Sequence, residues 1–106
     1  MSLNVTSATI LKKVAGALVA TRKYASIEDA LWALALTAVR SKVARYQRRI
    51  RRLERKYGVD FDTFTIHLKG QATPAQEDDW LAWRSAQNML VDWQLAYQEL
   101  LNDRPH

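Results

Sequence analysis

Arg40, Lys42, Arg45, Arg48, Arg49, Arg51, Arg52, Arg55 and Lys56 crowd into one short stretch that holds a single acid, Glu54. A guanidinium is a planar fork of N–H donors that fits carboxylate and phosphate alike. Three kinds of role follow for such a stretch. It can be a solvated face partly neutralised by Glu77, Asp78 and Asp79, a docking surface for an acidic protein, or a surface for nucleic acid. RNA suits it better than sequence-specific DNA, because the chain lacks the short-helix pattern of a helix-turn-helix. Tyr46 and Tyr57 could stack on bases, but both fall on an apolar seam.

Catalytic chemistry finds little support. Cysteine is absent, which removes thiol nucleophiles, disulfides and Cys-based zinc sites. His67 has only Asp60 and Asp62 nearby, at poor helical spacing for a metal site, and reads as a surface histidine. No HExxH, Gly-rich phosphate loop or nucleophile elbow occurs. Glu77, Asp78 and Asp79 could join Asp60 or Asp62 around a divalent cation. First-turn acids that help a helix start are the simpler reading. The expectation is a protein that is not an enzyme, with no catalytic residue, metal site or cofactor.

Four tryptophans stand at positions 32, 80, 83 and 93. Trp83 and Trp93 lie on a helical seam and are expected in the core. Trp80 lies off that seam beside two acids and is the better interface anchor, a role in which tryptophan is enriched.

The elements that must position these groups are helical. The chain has 106 residues, enough for one domain, here 1–106, and only three glycines and two prolines. Ile10, Leu11, Val14, Ala15 and Leu18 form one face of a first helix over 7–23, with Gly16 placed for close approach of a neighbour. Ser26 caps a second helix, Glu28 and Asp29 suit its N-terminal dipole, and Gly58 ends it. From Ile27 to Tyr57 it is about 46 Å long at 1.5 Å per residue. Trp32, Leu36, Val39, Val43, Tyr46, Ile50, Leu53 and Tyr57 step alternately by four and three, a heptad seam. Its first half, Ala30 to Val39, is apolar except for Thr37 and should be buried on several sides. Its second half has one covered face and a wet, basic remainder.

Asp60 can cap a short third helix carrying Phe61, Phe64 and Leu68, although alternation of Phe64, Ile66 and Leu68 with polar residues also permits a strand. The helix is preferred, because a lone strand would have no partner. Thr73, Pro74 and Gln76 form a capping box that opens a fourth helix reaching Leu101 or Asn102. Trp83, Ala86, Leu90, Trp93, Tyr97 and Leu100 continue the three-four stepping. Two long seams joined by a short connection predict an antiparallel hairpin. In it Glu77, Asp78 and Asp79 should lie near Arg51, Arg52, Arg55 and Lys56. The tail from Asp103 to His106 should fray. The predicted class is all-α: a hairpin of two long helices with an N-terminal helix and a short connecting helix. Its surplus apolar surface would be covered by dimerisation or a permanent partner.

The net charge of +5 and a pI near 9.8 favour anionic partners. No apolar run reaches the roughly 18–20 residues of a membrane span. The first residues lack the charged start and unbroken apolar run of a secretion signal, so a cytoplasmic location is expected.

Residues 49–97 resemble a group of small bacterial and archaeal helical proteins assigned as antitoxins of two-gene toxin–antitoxin pairs. The matching pattern is Arg52-Leu53-Glu54-Arg55-Lys56-Tyr57-Gly58, then Asp60-Phe61 to Phe64, then Asp78-Asp79-Trp80-Leu81-Ala82-Trp83. The likeness covers about half the chain, and the apolar segment before Arg40 departs from the shorter members. It implies a non-enzymatic protein that neutralises a partner toxin by binding it, and a hairpin with one basic edge can cover an acidic catalytic cleft. Arg45, Arg48, Arg49, Arg52, Arg55 and Trp80 are then the expected binding residues, with nucleic acid as the alternative target of the same basic face of residues 40–56.

Overall fold

A computed structural model describes residues 3–21 and 24–105, with side chains from Ser7 onward. Four helices follow one another: α1 (Leu3–Ala20), α2 (Ile27–Tyr57), α3 (Phe61–Leu68) and α4 (Pro74–Asn102). No strand occurs among the described residues, so the fold is all-α as expected. α1 begins and ends earlier than the expected 7–23; Lys23 and His106 lie outside the described residues.

Local chemistry accounts for the boundaries. The Asp29 amide donates to Ser26 Oγ at 3.1 Å, capping α2. Gly58 adopts φ 69°, a left-handed conformation that side chains resist, and its amide donates to the Glu54 carbonyl at 2.7 Å. Asp60 accepts from the Thr63 amide at 2.8 Å and starts α3, which decides the helix over the strand. Its hydrogen bonding to Thr63 favours the ionised carboxyl and holds its pKa below the usual value. At α4 the capping box is reciprocal: Gln76 N donates to Thr73 Oγ1 at 3.2 Å, and Thr73 N donates to Gln76 Oε1 at 2.9 Å. Thr73→Ala is expected to cost about 1 kcal/mol, read as a lower midpoint in urea unfolding.

The chain forms two compact units. The first takes residues 1–40 and 96–106. Within it α2 and α4 run in opposite directions. The Trp32 indole donates to the Leu100 carbonyl at 2.7 Å, and the Arg40 guanidinium sits 5.8 Å over the Tyr97 ring. Ala15, Ala30, Leu36 and Val39 are buried. Residues 31–35 are half-buried and Thr37 and Ala38 exposed, so the apolar half of α2 is covered less fully than expected.

The predicted apolar face of α1 is a clear departure. Ile10, Leu11 and Val14 are 54%, 51% and 43% exposed, and only Ala15 is sealed. Among the described residues a Cβ on Gly16 would meet nothing within 4 Å, so no described helix approaches closely there.

The second unit takes residues 41–95. Leu53 of α2, Phe64 of α3 and Trp83 of α4 form its buried centre, with Ile50, Tyr57, Val59, Phe61, Leu68 and Trp80 packed against it. Aromatic rings dominate. Phe61 and Phe64 lie 5.5 and 5.4 Å from Trp83 by ring centroid, and Phe64 lies 4.1 Å from Tyr57. Such pairs add about 0.5–1.5 kcal/mol each beyond simple burial. Short α3 is therefore held by its rings, since a helix of its length is marginal alone.

Candidate arginine-lined docking surface

Residues of the C-terminal half of α2 divide between two opposite faces. At 100° per residue, Val43, Tyr46, Ile50, Leu53 and Tyr57 fall on one side and Arg45, Arg48, Arg52 and Arg55 on the other. The first set is buried or half-buried, and the second is exposed. Arg45, Arg48, Arg49, Arg51, Arg52 and Arg55 line an open depression of ≈ 530 Å³. Among the described residues none of the six makes an ion pair with a carboxylate.

One expectation holds in part. Glu77, Asp78 and Asp79 are expected against Arg51, Arg52, Arg55 and Lys56, but only Asp79 makes an ion pair, with Lys56 at 2.6 Å. Helical phase is the reason. Three consecutive residues are spread over 200°, so one of them points toward α2 while the other two face water. Asp79 is half-buried, and Glu77 and Asp78 are exposed. Arg51, Arg52 and Arg55 leave α2 on the side away from its seam, and Arg52 reaches Asp79 only as a longer-range charge.

The Lys56–Tyr57–Asp79 group fastens the end of α2 to the start of α4. Asp79 accepts from Lys56 Nζ and from the Tyr57 hydroxyl. These two bonds hold the Asp79 carboxyl below its usual pKa of 3.8. The bond to Asp79 raises Lys56, while burial first and the same carboxylate second raise Tyr57. A carboxyl whose folded pKa is depressed stabilises above its unfolded value, and that contribution fades as pH falls through the folded one. Raised Lys56 and Tyr57 do the reverse: their stabilisation is present below about pH 10 and is lost as pH rises further. Asp79→Asn is therefore expected to flatten the stability–pH curve at both ends. It costs about 1 kcal/mol near neutrality after allowance for solvent. Urea unfolding of both proteins from acid to alkaline pH measures this.

Tyr46 carries two of the arginines. The guanidiniums of Arg45 and Arg49 sit 5.8 and 5.5 Å from its ring centroid. This contact restrains two long side chains and leaves their N–H groups free to meet an anion. The seam hid it, because there Tyr46 reads as core or half-core, or as a platform for a base, and not as a support for arginine. A tyrosine one position from Arg45 and three from Arg49 was the available signal.

Trp80, the remaining expected binding residue, is engaged within its unit. Its indole donates to Thr65 Oγ1 at 2.8 Å, its ring lies 5.6 Å from that of Phe61, and Arg84 covers it at 5.5 Å. It stays half-exposed beside Leu81, on the rim of a shallow apolar depression of ≈ 390 Å³. The structure thus groups the five arginines and places Trp80 on a different element as a support for α3. Trp83 and Ala86 are buried, as the seam predicted, while Trp93, also expected in the core, is half-buried.

No group of three or more His, Asp or Glu among the described residues is arranged to hold a metal ion. Asp60, Asp62, Glu77, Asp78 and Asp79 therefore do not assemble into a cation site. No described helix is long and apolar enough to cross a membrane. No protein-family model matches the chain, and comparisons with curated proteins and with solved structures find no match.

Proposed function

We propose that this chain is a non-enzymatic helical interaction module that docks an acidic protein on the exposed face of α2. One observation carries the reading: six arginines line a single depression on one helix, and no carboxylate of the described residues pairs with them. Unpaired like charges held in a row repel one another. A partner that brings carboxylates relieves that repulsion as it binds, and its approach is steered by the field. Bidentate contact gives arginine an advantage over lysine in such a role. The likeness of residues 49–97 to antitoxins makes a toxin with an acidic cleft, in the cytoplasm, the partner of choice.

Nucleic acid is the second reading, favoured by the length of the row. Arg45 to Arg55 spans about 15 Å of helix, enough to follow several phosphates.

Titration of the full chain with an oligoglutamate peptide and with an RNA of equal charge tests both. Tighter binding to the peptide, lost on mutating Arg48, Arg49 and Arg52, supports the first reading. RNA binding with a log–log salt slope of about −0.7 per phosphate supports the second. Binding to neither at low salt overturns both. Co-expression with the product of the adjacent gene tests the toxin: relief of toxicity and co-elution are expected.

A further inference from the structure

The face of α4 turned away from its seam holds three large apolar side chains in water. Leu81, Val91 and Leu95 are 58%, 56% and 58% exposed. Arg84, Asn88 and Asp92 stand among them, also exposed. Neither Arg84 nor Asp92 makes an ion pair among the described residues; Arg84 lies over Trp80.

The order of these residues is symmetric about Asn88. Leu81 and Leu95 lie seven residues to either side, and Arg84 and Asp92 four residues to either side. At 100° per residue all four fall within 40° of Asn88, on one narrow stripe about 21 Å long. A two-fold axis beside Asn88, perpendicular to the helix, maps each of these positions onto its counterpart. Leucine then faces leucine, arginine faces aspartate, and asparagine faces itself.

We propose that this stripe pairs with the same stripe of a second copy, antiparallel and centred on Asn88. The occupant is specified by charge. An isologous contact must be self-complementary, and the stripe sets Arg84 opposite Asp92 twice. A parallel pairing would set Arg84 on Arg84 and Asp92 on Asp92. Two Leu81–Leu95 contacts flank the centre, where Asn88 hydrogen-bonds its counterpart and a polar residue fixes register. Beyond the leucines the same axis sets Glu77 opposite Glu99, a repulsion that weakens the pairing. Four turns of helix bury less than the roughly 1,200 Å² of a standard interface, so the dimer is weak and depends on concentration. The inference stands apart from the arginine row on α2.

Sedimentation equilibrium of the full chain over a roughly hundredfold concentration range tests it. Wild type is expected to move from monomer to dimer. Arg84→Glu alone and Asp92→Arg alone should each weaken self-association at least tenfold, since each sets like charges opposite. An equimolar mixture of these two single variants should associate again. In the mixed dimer both acids of the first variant, at positions 84 and 92, face the two arginines of the second. Circular dichroism confirms that each variant keeps its helices, as substitutions at exposed positions should. A chain that stays monomeric throughout overturns the proposal. So does a dimer indifferent to both charge reversals, which would place self-association on another face such as that of Ile10, Leu11 and Val14. Arg48→Glu with Arg49→Glu and Arg52→Glu should leave the dimer unchanged, so failure here and failure of the α2 reading are separable.

Discussion

Trp83→Ala is expected to remove about 3–5 kcal/mol of stability, the usual cost of emptying a fully buried aromatic site. The side chain has no exposed surface and touches the rings of Phe61, Phe64 and Tyr57, so its loss opens a cavity ringed by flat groups that cannot collapse inward. Domains of ordinary stability have roughly 5–15 kcal/mol in total, and a change of this size takes a large share of it. Urea unfolding followed by far-ultraviolet circular dichroism measures the effect. A loss below about 1 kcal/mol would mean that Trp83 is not the centre of its unit. Short α3 should be released first, because two of the three rings around Trp83 belong to it.

Reversing three charges, Arg48→Glu, Arg49→Glu and Arg52→Glu together, is expected to lower affinity for an acidic partner by about a hundredfold or more. The change should act on the association rate and on its salt dependence first, because these side chains act at range before contact. Stability should move by no more than about 1 kcal/mol, since the Arg49 contact with the Tyr46 ring is lost while repulsion along the row is relieved. None of the three is buried or paired with a carboxylate, and glutamate is as good a helix former as arginine. Stopped-flow association against the oligoglutamate peptide, with unfolding curves alongside, separates the two effects. Equal affinities for wild type and triple variant would place the docking surface elsewhere.

Periodicity and caps made most of the fold legible. Ser26, Gly58, Asp60, Thr73 and Gln76 each leave one solution for the local backbone, and the helices begin and end where these residues put them. Three-four stepping likewise named Leu53, Trp83 and Ala86 as inward positions. What stayed hidden depends on angle around the helix and on contacts distant in sequence, which a count of charge and hydrophobicity along a segment does not carry. Asp79 alone among three neighbouring acids turns to α2, so the arginines keep no carboxylate paired with them. The apolar face of α1 was easy to see, but a stripe of side chains carries no mark of whether anything covers it. The bond from Trp80 to Thr65 was not legible, because the two lie in different helices and nothing in the linear order joins them.

The indole nitrogens of Trp83 and Trp93 are buried and find no acceptor among the described residues. A donor sealed away unbonded costs about 1–3 kcal/mol, so these side chains contribute through the apolar ring and not through its polarity. The Trp83 ring, which has no exposed surface, should fluoresce at the blue end of the tryptophan range. The chain thereby carries its own optical gauge of looseness: opening of the aromatic centre, and release of α3 with it, would be seen as a red shift while the long helices persist.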